Sequence, residues 1–207
     1  MCFRTSFVLT IVLSLFLAPA VFAQPSMRAG AQSMTVLGGD SYARECYVAA
    51  SVAARSHFST REGINNCTHA LQYGKLSLRD LLATHVNRGI LYMGQKEFDR
   101  AAKDYETAVG LNPPTGEVFV NRGNLSFLVN AYSEAINEYT RALELGLEND
   151  HIAYYNRAMA YERVRNFDGA AADYRRAIEL QPEWYMPQAR LDSLLRATGK
   201  PSEYYPN

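Results

Sequence analysis

One tripeptide returns along the chain as Asn87-Arg88-Gly89, Asn121-Arg122-Gly123 and Asn156-Arg157-Ala158, at spacings of 34 and 35 residues. Counting from the small residue of each copy, position nine holds Phe98, Tyr132 or Phe167, and position twelve holds Ala101, Ala135 or Ala170. Position sixteen holds Tyr105, Tyr139 or Tyr174, position nineteen Ala108, Ala142 or Ala177, and position twenty-four Pro113, Leu147 or Pro182. A unit of this size cannot bury an apolar face by itself. It must stack on its own copies, with atypical units at the two ends.

The order small, aromatic, alanine, aromatic, alanine, proline at a period of 34 resembles the tetratricopeptide repeat. The resemblance implies an all-α, right-handed solenoid of antiparallel helix pairs, with regular repeats over residues 82–115, 116–149 and 151–184. In the first regular repeat, helix A is expected from about Leu81 to Met93 and helix B from about Phe98 to Val109, where Pro113 and Pro114 bar continuation. Gly89, Gly123 and Ala158 are expected where the helices of one repeat cross closely, since a larger side chain would force them apart.

Residues 39–75 read as a divergent N-terminal hairpin, with helices near Tyr42–Ser56 and Thr60–Tyr73. Cys67 and Ala70 are spaced there as the later Tyr-x-x-Ala pairs are, and Leu76 to Asp80 reads as a link. Residues 185–198 read as a capping helix from about Pro187 to Ala197, with Leu191, Leu194 and Leu195 on one side. Residues 199–207 form a tail. Residues 24–38 lack periodicity and carry Pro, Gly, Ser and Gln, the pattern of a flexible lead.

The first 23 residues pair Arg4 with the apolar run from Phe7 to Leu17 and the exit Val21-Phe22-Ala23, as a cleavable signal peptide does. A spanning helix needs about 20 apolar residues, and Pro19 interrupts any extension, so no membrane insertion is expected once the signal is removed. Cleavage leaves 20 basic against 21 acidic residues, which supplies no basic stripe for nucleic acid. Export to the periplasm of a Gram-negative bacterium is the expected destination. Cys46 and Cys67 then remain in an oxidising compartment as candidates for one disulfide, the alternative being two small buried residues. A bond would close a loop worth roughly 3 kcal/mol in the chain-entropy model.

No nucleophile elbow, zinc-protease motif or phosphate loop is present, so no catalytic residue, metal or cofactor is expected. The four histidines, His57, His69, His85 and His151, fall in different units, with His85 and His151 expected as exposed helix starts. Asn66 and Asn124 begin glycosylation sequons inside expected helices.

The remaining candidate is the concave face, which in the family the A helices line and which holds a partner's extended segment or helix. Helical spacing puts Ala83, Asn87, Ile90 and Gly94 on one stripe, followed by Val120, Asn121, Asn124 and Phe127, and by Ile152, Tyr155, Asn156 and Met159. A side-chain amide both donates and accepts, so Asn87, Asn121 and Asn156 could each pair with one peptide unit, or could instead set repeat geometry. Ile90, Phe127, Tyr155 and Met159 would supply apolar pockets. Arg88, Arg122 and Arg157 point off the groove and are expected in exposed ion pairs with Asp104, Glu138 and Asp173. Family members that clamp a C-terminal carboxylate use groove lysines and arginines, whereas Val86, Val120 and Tyr155 stand here.

These readings converge on a non-catalytic module binding a protein or peptide partner, an adaptor or assembly factor. The alternative is a structural subunit of an envelope assembly, joined through the convex face or the C-terminal tail. Homo-oligomers are compatible with either.

Overall fold

The computed structural model describes residues 31–38, 41–56, 58–111 and 113–200. The expected signal peptide, residues 24–30 and the end of the tail lie outside the described residues. Every regular element among the described residues is an α-helix: α1 Ser41–Ser56, α2 Arg61–Tyr73, α3 Leu78–Gly94, α4 Phe98–Gly110, α5 Gly116–Leu128, α6 Tyr132–Leu145, α7 Asp150–Arg163, α8 Phe167–Leu180 and α9 Tyr185–Ala197. They form four hairpins and a final single helix. Helix α1 also touches α3, α3 touches α5 and α5 touches α7, so the A helices make one layer of an all-α solenoid.

Local chemistry sets the boundaries. Thr60 accepts from the Gly63 N–H at 3.1 Å and Ser77 from the Asp80 N–H at 3.1 Å, each capping a helix start. The Ser77 cap starts α3 at Leu78, three residues before the expected Leu81, so most of the supposed link is helix. Helix α9 begins at Tyr185, because Pro187 sits in its first turn, where a missing N–H costs nothing.

The A-to-B turns repeat as closely as the helices do. Lys96, Asn130 and Arg165 occupy the same position of successive repeats and are all left-handed, with φ of 61°, 64° and 62°. In each, the following N–H reaches back five residues: Glu97 to Tyr92 O at 2.9 Å, Ala131 to Ser126 O at 2.8 Å, and Asn166 to Tyr161 O at 2.9 Å. This is the Schellman closure of a helix end. Helix α9 ends the same way, with Lys200 N–H on Leu195 O at 2.9 Å and Gly199 at φ 69°. Its closing turn is thus that of an A helix.

The small residues act as expected. A Cβ on Gly89 would lie 2.4 Å from the Tyr105 ring, and one on Gly123 would lie 2.5 Å from the Tyr139 ring. Tyr105, Tyr139 and Tyr174 are fully buried. In the first hairpin Cys67 stands in the tyrosine's place and is bonded to Cys46, with Cα atoms 4.7 Å apart and S–S 2.13 Å. The crossing of α1 and α2 is therefore held by a covalent link in place of a ring packed on glycine.

Candidate functional site

The concave face of the A helices is occupied by the chain itself. Residues 31–38 are neither helix nor strand and run along it, from α5 toward the start of α3. Part of the segment expected as a flexible lead is therefore an ordered strap. Sequence periodicity could not reveal it, because its bonds are made to side chains 40 to 90 positions away: Leu37 to Asp80, Met34 to Asn87 and Gln32 to Asn121 are separated by 43, 53 and 89 residues.

Two rungs of the asparagine ladder hold the strap. Asn87 Oδ1 accepts the Met34 N–H at 2.9 Å, while Asn87 Nδ2 donates to Met34 O at 2.8 Å. Asn121 Oδ1 accepts the Gln32 N–H at 3.1 Å, while its Nδ2 donates to Gln32 O at 2.9 Å and to Glu117 O at 2.9 Å. Alternate residues present both backbone groups to the same face, the period of an extended chain. All three ladder asparagines are fully buried.

The third rung is arranged differently. Asn156 Nδ2 donates to Asn124 Oδ1 at 2.9 Å, and Asn124 Oδ1 also accepts from the Tyr139 hydroxyl at 2.8 Å. Tyr105 and Tyr174 instead reach the residue four places after the small residue, Met93 and Glu162. In the middle repeat that place is Phe127, which has no acceptor, so the hydroxyl turns to Asn124. Asn156 Oδ1 is buried without a hydrogen-bond partner.

Further contacts fix the strap's other end. Ser33 and Ser51 hydroxyls are 3.0 Å apart, and Tyr47 hydrogen-bonds Thr35. Val36 is buried with Ala43, Ala70 and Ala83, one residue from each of α1, α2 and α3. Asp80 Oδ1 accepts the Leu37 N–H at 2.9 Å and Oδ2 accepts the Ser77 hydroxyl at 2.8 Å. Burial pushes the Asp80 carboxyl up, but donation from Ser77 and from the Leu37 and Gly38 backbone outweighs it and holds the group below its ordinary value. Reading residues 76–80 as a link hid this anchor; Ser-x-x-Asp before an apolar run is the capping signal that marks it.

The expected apolar pockets are not open. Ile90, Phe127, Tyr155 and Met159 are 3%, 8%, 2% and 1% exposed and belong to the core. Phe127 stacks edge-on with Tyr132, and Tyr155 packs against Tyr174 and Trp184. An apolar side chain near an inter-repeat seam is drawn into that seam, because close packing there removes more surface from water than the groove can.

The arginine pairs also differ from the exposed bridges expected. Asp104, Glu138 and Asp173 are buried, and they bind Arg88 at 2.8 Å, Arg122 at 2.9 Å and Arg157 at 2.7 Å. His85 lies within α3 and not at a helix start, its Nδ1 2.9 Å from Asp104 Oδ1. These groups form a structural layer beside the groove. Among the described residues no group of three or more His, Cys, Asp or Glu side chains could hold a metal ion, and no helix is long and apolar enough to cross a membrane.

Stacked helical hairpins with a row of buried amides along the A helices define a helical-repeat protein. The chain carries tetratricopeptide repeats: two models of that description match residues 86–143 and 151–183. It is 35% identical over 82 residues to small glutamine-rich tetratricopeptide repeat-containing protein 2 of Saccharomyces cerevisiae, covering 40% of this chain and 23% of that one. It is 30% identical over 110 residues to human serine/threonine-protein phosphatase 5, covering 53% of this chain and 21% of that one. The chain thus spans under a quarter of these relatives' length.

Solved structures show the same fold. The first tetratricopeptide domain of Spaghetti, bound to the HSP90 peptide SRMEEVD, superposes with a TM-score of 0.54 at 22% identity, covering 57% of this chain and 94% of that one. YrrB, described as having an unusual peptide-binding site, gives 0.55 at 17% identity, covering 76% of each chain.

Proposed function

We propose that the protein is a non-catalytic adaptor or assembly factor that holds an extended segment of a partner protein in the concave groove. The observation that carries this reading is the use of both amide atoms of Asn87 and of Asn121 on both backbone groups of one residue. Such a contact reads the main chain and ignores the side chain, so it suits capture of a segment and supplies no group for bond making. Asn156 continues the row, with an acceptor still to be used. Export to the periplasm remains part of the proposal, supported by the signal-like N-terminus and by a disulfide that an oxidising compartment would keep.

The test compares the mature protein with its Asn87→Ala, Asn121→Ala, Asn156→Ala variant in a cross-linking capture from the native envelope, after matching their helicity and oligomeric state. Loss of a specific prey in the variant is expected. Retention of the same prey would overturn the groove as the site and move it to the convex face or tail.

A further inference from the structure

We infer that residues 31–38 are an intramolecular ligand of the groove, and that the partner is an uncharged extended peptide segment that binds by taking their place. This rests on the groove reading above. The strap shows what the groove accepts. Its eight residues, Ala31 to Gly38, carry no charge, and its two central bonds are of the kind that any extended main chain offers. Exchange of one such segment for another therefore conserves the amide pairing.

Two buried atoms show that the strap does not complete the site. Gln32 is buried, yet its Nε2 has no partner, and Asn156 Oδ1 has none either. Met34 and Gln32 meet Asn87 and Asn121 at a step of two residues per rung. A segment that places an N–H at Asn156 Oδ1 fills that acceptor, which residues 31–38 leave unused, and one with a small residue at the Gln32 position leaves no orphaned amide. Such a ligand gains hydrogen bonds that the strap forgoes. The strap offsets this by being attached, which raises its local concentration. On its Leu37 side, where it leads toward α1, Asp80 also holds it.

Charge argues for an uncharged ligand. The side chains that hydrogen-bond the strap are Asn87, Asn121, Ser51, Tyr47, Thr115 and, at one end, the anion Asp80. Arg190 of α9, beside Tyr155, already faces Glu162 at 3.9 Å. Arg55 and Arg79 act on Tyr47 and Asp80 only through space, and the one charged side chain that hydrogen-bonds residues 31–38 is the anion Asp80, which an acidic peptide would meet.

The experiment uses the mature chain and a Gln32→Pro, Met34→Pro variant, which removes the two strap N–H donors that meet Asn121 and Asn87 without touching the groove. The probes are a capped peptide of the strap sequence, AQSMTVLG, and the acidic peptide SRMEEVD, each followed by fluorescence anisotropy. The strap peptide is expected to bind the variant at least about ten-fold more tightly than the wild type, and SRMEEVD to bind neither. Equal binding of the strap peptide to both chains, or none to a helical, disulfide-intact variant, would overturn the proposal. Equal binding of SRMEEVD and the strap peptide to the variant would overturn the uncharged class. Hydrogen exchange on the wild type provides a reading that needs no folded variant. The Gln32 and Met34 amides should be protected, yet exchange faster than those of Val86 and Val120. Exchange as slow as the core would make the strap a fixed element and sink the idea. Failure here, with Asn-dependent capture of a native prey intact, would leave the groove reading standing.

Discussion

Three arginines meet three buried acids, but the contacts are unequal. Arg88 grips Asp104 with Nε and Nη2, both at 2.8 Å, and Arg157 grips Asp173 at 2.7 and 2.9 Å. Arg122 touches Glu138 through Nη2 and Oε1 at 2.9 Å, and Glu138 Oε2 is buried without a partner. The acids respond in opposite directions. Burial pushes Asp104 up, but the Arg88 fork and His85 outweigh it, and its carboxyl is held below the ordinary value. Burial dominates at Glu138, with Glu134 adding to it, and its carboxyl is raised. A raised carboxyl contributes stability below its unfolded value and loses it as pH climbs through the folded one. At neutral pH the Glu138 charge is therefore poorly supported. Asp104→Asn should cost about 1–3 kcal/mol and Glu138→Gln under about 1 kcal/mol, read as urea midpoints at pH 7. Equal losses would show that the forked geometry contributes nothing.

At the scale of elements, the first hairpin is the exception that has to be held differently. The later hairpins seat a tyrosine on a small residue; α1 and α2 carry cysteines instead, each fully buried. Reducing the bond, or substituting Cys46→Ala and Cys67→Ala together, should lower stability by roughly 3 kcal/mol, the scale for a loop of this length. Denaturation with and without reductant measures it. An unchanged midpoint would mean that Val36 and the packing of α1 on α3 already hold the hairpin. The same helix α1 also carries Tyr47 and Ser51 to the strap. Loosening the hairpin should therefore show first as faster exchange of the strap amides.

At the scale of the molecule, one carboxylate, Asp80, ties the Leu37 end of the strap to the solenoid. Asp80 is held below its ordinary value, so its contribution is complete above an unfolded value of about 4. That contribution is lost as pH falls through the depressed folded value. Arg79 is the only charged group among the causes of that shift, so protonation acts mainly on the hydrogen bonds from Ser77, Leu37 and Gly38. Exchange of the Leu37 amide, corrected for intrinsic rate, should accelerate as pH drops below about 4. Asp80→Asn should speed it several-fold at pH 7 and flatten the acid dependence. An unaltered profile in that variant would remove Asp80 as the anchor.

The repeat period, the close helix crossing marked by a small residue and the Pro-marked ends were readable by themselves, because each is a local relation that recurs at fixed spacing. Residue order alone therefore determined the helices, their pairing and the row of asparagines on one side. It also gave the amide chemistry of that row, though not its occupant. Folding in three dimensions decided the rest. It sent Ile90, Phe127, Tyr155 and Met159 into the seams, buried the acids beneath their arginines, and brought residues 31–38 across three helices to Asn87 and Asn121. The physical reason is that periodicity records which face a residue lies on, whereas burial and pairing depend on what distant chain arrives at that face. A strap that binds through its own backbone leaves almost no pattern in its side chains.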